Sequence, residues 1–560
     1  MPMIDVAETL EVAVKHHRSG DLTEARRQYQ QVLKCAPDNP DALHSLGLVA
    51  YQMGRYQEAV ELISKAIENN PSMPQFYNNL GIAFKALKRF KEAVDAYQQA
   101  LCLEPDFVDA YFNLGNALRH EGQYDEAIEN HKQAIRLRPD YAEAYHSLGR
   151  ALKDQGQSTE AIENYKMAIH FKPDYPDAYN NMAVALLLEG RFQAAIENCR
   201  QALLLKPGFA EAYNNMGTAR HLLGQYAEAI ENYERAIWLK PDYAHAHWNY
   251  SHVLLLKGKL AEGWDEYEWL RKMDLDSPVY PHSYQRPCWD GSSFTGKRLL
   301  VHYEQGIGDS FQFVRYLPMV KARGGTVIYE ERKSLLSILR QIEGIDEVVE
   351  ARPRKKPDVE FDYHASLLSL PGIFGTTLET IPSDIPYLYA DLAKTDYWRS
   401  RLQGSNFKIG IVWAGSPKHE NDHRRSCMLK HFEPLAVIDG VRLYSLQKDA
   451  TAAQLQQFPA EMVLANPAEE FEDFADTAAV IENLDLVISV DTAIVHLAGA
   501  MGKSVWTLLP FAPDWRWMLD RDDSPWYPTM RLFRQEQSGD WETVFARVAQ
   551  QLKVLVETRL

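Results

Sequence analysis

The chain is poor in cysteine: five in 560 residues (Cys35, Cys102, Cys199, Cys288 and Cys427), far apart and without a Cys-x-x-Cys pair. An odd, dispersed set builds neither a disulfide framework nor a zinc cluster, and it suits a reducing compartment. No stretch approaches the roughly 18 uninterrupted apolar residues that a membrane-crossing helix needs. The N-terminus, Met1 to Asp5, has no basic segment followed by an apolar one, so no secretory leader is read there and a cytoplasmic location is expected. No Lys/Arg-rich run offsets the acidic excess. With 60 basic against 77 acidic residues, the formal net charge is −17, which repels a phosphate backbone and argues against nucleic acid as a ligand. The remaining composition, 46% hydrophobic and 24% charged, is that of a globular protein. At roughly 150 residues per domain, the length predicts three or four units.

What the first half does have is a period. Prolines stand at 37, 71, 105, 139, 173, 207 and 241, a spacing of 34 without a slip. Glycines at 47, 81, 115, 149 and 217 keep the same period, with Ala183 and Ser251 in the two gaps. A third ladder is Ala25, Ala59, Ala93, Ala127, Ala161, Ala195 and Ala229. Small residues belong where two helices approach closely, and each proline closes a helix because it lacks an N–H and disfavours helical geometry just before it. This is the tetratricopeptide pattern, about eight helix pairs from near residue 6 to about 272. One pair cannot bury its apolar stripe alone, so the pairs are expected to stack into an α-solenoid.

Two residues before the glycine ladder stand Ser45, Asn79, Asn113, Ser147, Asn181, Asn215 and Asn249. In tetratricopeptide folds this position lies on the first helix and faces the concave groove. An amide carries both a donor and an acceptor, so Asn79, Asn113, Asn181, Asn215 and Asn249 are candidates to hold an extended peptide. The competing reading is that they cap or bridge adjacent helices. Repeat surfaces of this kind also self-associate, so a homo-oligomer is a further expectation.

The period stops after Trp264–Trp269, and a Pro-rich aromatic linker follows over 273–297. From 298 the pattern becomes strand, Gly-rich turn, helix. Strands are predicted over Arg298–Tyr303, Thr326–Glu330, Phe407–Trp413, Val441–Leu446, Leu486–Val490 and Val505–Leu509. Helices are predicted over Ser310–Ala322, Lys333–Gln341, Asp473–Asn483 and Thr492–Met501, with a break near Ala393–Ser405. Alternation of this kind implies parallel sheets wound on both faces, here two Rossmann-like lobes (298–395 and 406–540) with ligands beyond the carboxyl ends of the strands. A last helix, about Glu542–Leu555, is expected to cross back onto the first lobe.

Chemistry-bearing residues cluster at strand ends. Gly306-Ile307-Gly308-Asp309 follows the first strand; Asp309 is either a general base toward an acceptor hydroxyl or a helix cap. In Ser489-Val490-Asp491-Thr492-Ala493-Ile494-Val495-His496, the helix start at Thr492 and Ala493 suits a diphosphate, with His496 one turn in. The alternative is a capped helix with a satisfied, half-buried histidine. The loop after Trp413 brings Ser416, Lys418, Arg424 and Arg425 to one edge, either as counter-charge for a leaving phosphate or as a solvated loop. Its His419-Glu420-Asn421-Asp422-His423 has metal-ligand spacing in a polar loop, whereas such a motif binds zinc only on a helix, so no metal is expected. Gln447 and Lys448 end another strand, and His364 lies on the acceptor side.

On these residues the second half resembles the two-lobed heptosyltransferases, through Gly308-Asp309 and Asp491-Thr492-Ala493-x-x-His496-Leu497-Ala498. The resemblance implies a GT-B fold, Asp309 as general base, and Asp491, Thr492, Ala493 and His496 at the donor phosphates. Ala493 stands where that family has glycine, which leaves the donor open. The whole arrangement, with Trp289-Asp290-Gly291, Glu304-Gln305-Gly306-x-Gly308-Asp309, Ser369-Leu370-Pro371 and Trp413-x-Gly415, resembles bacterial tetratricopeptide-repeat glycosyltransferases, whose relatives modify proteins such as flagellins and adhesins. The domain order is similar to that of the O-linked N-acetylglucosamine transferases, which grip protein substrate with an asparagine ladder. The resemblance thus implies an inverting, metal-independent transferase that uses a nucleotide sugar as co-substrate and a Ser or Thr of a groove-bound protein as acceptor. A non-catalytic scaffold that merely binds nucleotide, and transfer to a lipid or glycan, are the rival readings.

Overall fold

The computed structural model describes residues 5–273, 284–352, 357–417, 421–448, 454–455, 458–459 and 464–558. Residues 274–283 of the predicted 273–297 linker, together with Lys418, His419 and Glu420, lie outside the described residues. By its internal contacts the chain divides into two units, Met1–Ala219 and Arg220–Leu560.

Sixteen repeat helices run from Val6 to Tyr267, and the helix pairs of the first unit carry the ladders read from the sequence. The Ala ladder is fully buried. Each second helix ends one residue before a capping residue that immediately precedes the period proline, as at Asn70-Pro71 and Lys172-Pro173. The glycine ladder marks where helices touch. A methyl placed on Gly47 would sit 2.6 Å from Ile63, on Gly81 2.5 Å from Tyr97, and on Gly149 2.7 Å from Tyr165. Where Ala183 replaces glycine, the corresponding position of the facing helix carries buried Cys199 instead of an aromatic ring, so a smaller partner makes room.

A second ladder escaped the sequence reading. Gly20, Gly54, Gly122, Gly156 and Gly190 all have φ between 72° and 90°, because each turns the chain between the two helices of a pair. Lys88 holds this position in one repeat with φ 58°.

The second unit opens with the last repeats and continues into two parallel sheets. The first lobe contains β1 (Arg298–His302), β2 (Thr326–Glu331), β3 (Glu347–Glu350) and β4 (Tyr363–Ser366), in the order β3-β2-β1-β4. The second contains β5 (Phe407–Val412), β6 (Val441–Ser445), β7 (Leu464–Ala465), β8 (Leu486–Val490), β9 (Val505–Leu509) and β10 (Met530–Arg534), in the order β10-β9-β8-β5-β6-β7. Read from its first strand, the second sheet has the 3-2-1-4-5-6 order of a dinucleotide-type fold, and the first sheet has its first four strands. All strands run parallel, and the order of strand addition reverses between β1 and β4 and between β5 and β8, so the crevices open at the carboxyl ends of those strands.

Three features depart from expectation. The compact division falls within the seventh repeat and not at 272. The reason is that Trp264, Tyr267 and Leu270 are buried in one core with Trp289, Phe313 and Leu370, and Trp264 meets Trp515 edge-on at 5.3 Å. The segment read as a break is a helix, Leu392–Arg401, capped by Asp391 and tied by Lys394 to Asp476 at 2.8 Å. The C-terminal helix, Trp541–Glu557, packs on the second lobe and not the first, since Val544, Phe545, Val548 and Leu552 share a core with Ile409, Phe432 and Leu435.

Two substitutions test the repeat geometry. All twelve tryptophans lie beyond residue 237, so tryptophan fluorescence reports the second unit, and the part of the helical circular dichroism change that fluorescence does not follow reports the first. Gly149→Ala is expected to lower the stability seen by dichroism by about 1–3 kcal/mol despite its better helix propensity, because the Tyr165 ring has nowhere to go. Lys88→Gly is expected to raise it by about 1 kcal/mol by relieving the left-handed backbone. Opposite signs in both would remove the packing account.

Candidate functional site

The β1–β4 crevice of the first lobe and the β5–β8 crevice of the second face each other. A methyl on Gly308 would lie 2.8 Å from the His496 ring and 3.5 Å from Cα of Ala493, so only glycine permits the approach. Asp309 stands in the first turn of the helix Ile307–Phe313. Its Oδ2 accepts the Gly306 N–H at 2.6 Å, and its Oδ1 accepts the Arg516 guanidinium of the second lobe. One oxygen of the carboxylate thus caps the helix start, and the other pairs with Arg516. Burial raises its pKa, and the Arg516 charge opposes the rise.

Arg516 sits between the lobes. It donates to Gln312 Oε1 at 2.8 Å and to Asp514 Oδ1 at 2.9 Å as well as to Asp309. Burial works against the Asp514 carboxylate, but Arg516 holds its pKa below the ordinary value. Asp491, at the end of β8, is pushed the other way by burial and by Asp514, with Arg425 and Arg516 as the compensating cations. Arg315 adds a second bolt, donating to Tyr387 Oη at 2.6 Å, Pro382 O at 2.9 Å and Trp526 O at 2.7 Å.

The remaining candidates are distributed as follows. Thr492 is the N-cap of the helix Ala493–Ala500, accepting the Ile494 N–H at 3.3 Å, with Ser489 Oγ 3.2 Å from its hydroxyl. His496 is buried, 3.1 Å from Tyr527 Oη and stacked on Trp517, and burial lowers its pKa to about 3. It is a neutral group there and supplies no positive charge. Gln447 is buried and accepts the N–H groups of Trp413 and Ala414 at 3.3 and 3.0 Å, so it shapes the loop after β5. Lys448 donates to Phe471 O at 2.5 Å. Ser416 is exposed in the same loop. Arg424 is half-buried and donates to its neighbour His423 at 3.2 Å. His364 lies in mid-strand, 3.4 Å from His302 and 3.5 Å from Cys288, and burial lowers its pKa to about 4. It is packed under the linker and does not reach the mouth of the crevice.

In the repeats, the amide of Asn79 meets His44 at 2.9 Å and that of Asn181 meets His146 at 2.7 Å. Asn113 donates to Asn78 at 3.1 Å and Asn215 to Asn180 at 2.9 Å. Each partner lies 35 residues back, so these four amides bridge successive repeats, and Asn113 is buried in doing so. Asn249 is half-buried.

Sequence reasoning singled out neither Arg516 nor Glu304 as a site residue. A signal existed for each: an arginine between Trp515 and Trp517 just beyond a buried strand, and a carboxylate directly ending the apolar β1. Arg425, read from the sequence as one of the cations at this edge, is packed over Gly415 and acts on Asp491.

The fold and this junction define a class: a tetratricopeptide-repeat solenoid followed by a two-sheet parallel α/β domain. Models of the tetratricopeptide repeat match residues 16–74, 83–119, 115–156, 149–190, 176–209 and 210–243. Protein FlbA of Caulobacter vibrioides is 29% identical over 286 residues, which cover 47% of this chain and 48% of that protein. The chain thus spans about half the length of that curated relative. Among solved structures, MamA is 30% identical over 30% of this chain and 92% of its own, with a TM-score of 0.29. YrrB, described as a TPR protein with an unusual peptide-binding site, is 24% identical over 33% and 96%, with a TM-score of 0.29. PilW, a type IV pilus biogenesis factor, is 22% identical over 37% and 96%, with a TM-score of 0.35. Among the described residues no helix is long and apolar enough to cross a membrane.

Glu304 is 1% exposed, accepts the Tyr267 hydroxyl at 3.3 Å and the Ser366 hydroxyl, and lies within the field of Asp309. Burial pushes its carboxyl up to about 7. A carboxyl that binds its proton more tightly when folded makes stability fall as pH rises from its unfolded value toward 7, and the loss persists above. Glu304→Gln removes this dependence. Relative to the parent, the variant is expected to gain about 3 kcal/mol between pH 4 and pH 8 in urea unfolding followed by tryptophan fluorescence. A pH-independent difference would show that the Glu304 carboxyl binds its proton equally well in the folded and unfolded chain.

Proposed function

We propose that the second unit is an inverting glycosyltransferase that moves a sugar from a nucleotide-sugar donor to a Ser or Thr hydroxyl of a protein held by the repeats. The observation that carries the reading is the meeting of two nucleotide-type sheets at Gly308 and Ala493, with the buried carboxylate of Asp309 facing the second lobe and arginines on the donor side. Asp309 takes the proton of the acceptor hydroxyl as that oxygen bonds to the anomeric carbon. The bond from that carbon to the phosphate oxygen breaks, and the nucleoside diphosphate leaves with the electron pair. Arg516 and Arg425, with the N-terminal N–H groups of the helix Ala493–Ala500, balance the charge that develops on it. Lys448, tied to Phe471 O, has a weaker claim to this role than the sequence suggested. Thr492 and Gln447 position the loops, and His496 keeps the helix start dry and close to Gly308.

Wild-type protein incubated with a panel of nucleotide sugars is expected to release nucleoside diphosphate and to add sugar mass to an acceptor. Asp309→Asn is expected to reduce transfer by about 100-fold or more, and Arg516→Gln to reduce it while also lowering the melting temperature of the second unit. Failure of every donor with the wild type, or full transfer by Asp309→Asn, removes the catalytic reading and leaves a repeat scaffold.

A further inference from the structure

Within the first unit, one ladder position carries charge. Lys85, Arg119 and Lys153 are successive members of the 34-residue period, each near the end of the first helix of its repeat. Neighbouring helices pack roughly 10 Å apart, so the three cations form a row across adjacent repeats. Arg150 lies one turn before Lys153 on the same helix, hence on the same face. One carboxylate, Asp154, sits among them, paired with Arg119 at 2.5 Å and Lys153 at 3.1 Å.

The row is not neutralised. Lys85 and Arg150 are half-buried and make no ion pair or hydrogen bond among the described residues, and Nε of Arg119 is buried without a partner. Burial and the neighbouring Arg119 both act against the Arg150 charge, and burial acts against that of Lys85. His120, stacked on Phe90 at 4.7 Å, is held below its ordinary pKa by burial and by Arg119, Arg150 and Lys85 together, which places all three within one field. Half-burying unpaired cations is costly, and it occurs here in a chain whose net charge is −17.

We propose that the Lys85–Arg119–Arg150–Lys153 row is the recognition surface for an acidic segment of a partner protein, read through Asp and Glu side chains along an extended chain. The inference rests on the reading of the repeats as a protein-binding surface but not on any sugar chemistry. Carboxylates of such a segment answer Lys85 and Arg150, which have no ion-pair partner among the described residues, and share Arg119 and Lys153 with Asp154, whereas the rest of the acidic chain repels it.

The test uses the full-length protein and fluorescein-labelled, C-terminally amidated peptides of about twelve residues, long enough at roughly 3.3 Å per residue to cross three repeats. A Glu/Ser peptide is expected to bind at least about ten-fold more tightly than its Gln/Ser counterpart, an advantage that shrinks with added salt. Lys85→Gln combined with Arg150→Gln is expected to erase most of that advantage with helical dichroism unchanged, while Lys65→Gln, on a second helix, leaves it intact. Equal binding of the Gln/Ser peptide overturns the acidic preference alone. Absence of binding by either peptide overturns the preference together with the protein-binding reading. Tighter binding of a single-stranded oligonucleotide of equal charge also overturns the inference, by making the row a general polyanion site.

Discussion

A guanidinium held between two carboxylates ties the second unit together. Arg516 joins Asp309 of the first lobe to Asp514 of the second, and Gln312 takes one more of its donors. Stripping water from such a group costs several kcal/mol, and the charge is tolerated only while each partner stays in place. The arrangement therefore selects one relative position of the lobes. Arg315 repeats the device with neutral partners, using carbonyls and the Tyr387 hydroxyl drawn from both sides of the junction. Between these two bolts Gly308 lies against the His496 ring at a distance that any side chain would spoil.

The same burial sorts the acids. Glu304 and Asp491 are pushed toward the neutral form, whereas Asp514 is held charged by its arginine. Asp309 lies between these cases, with burial raising its affinity for a proton and Arg516 resisting. Groups of one kind with protonation tendencies driven apart by their surroundings are what acid–base chemistry at neutral pH requires. The repeats use polar groups differently. Their buried amides bond to the preceding repeat and fix its spacing, while the cations of one ladder position remain short of partners.

The legibility of these features in the sequence follows from their range. The repeats were legible because their constraints recur: proline stops, alanine contacts and the close approach of a small residue to the facing helix reappear every 34 residues. The glycine turns were missed although they obey the same period, with Lys88 as the exception among them. In the second unit most strand positions were found to within a residue, β8 and β9 exactly as read, since buried parallel strands are short apolar runs between turns. The short β3, β4 and β7, the arginine-flanked β10 and the helix over Leu392–Arg401 carry too little apolar signal of their own to announce themselves.

The site was half legible. Sequence alone determined the solenoid, the two alternating lobes and the position of Asp309 and Thr492 at strand ends, because each depends on residues close together along the chain. It did not determine that Arg516, 207 residues away, would claim one oxygen of Asp309. Nor did it show that His496 would be uncharged, that Gln447 would brace a loop, or that the last helix would return to its own lobe. Those outcomes depend on which buried charge meets which and on how much water each loses, and only the packed tertiary structure decides them.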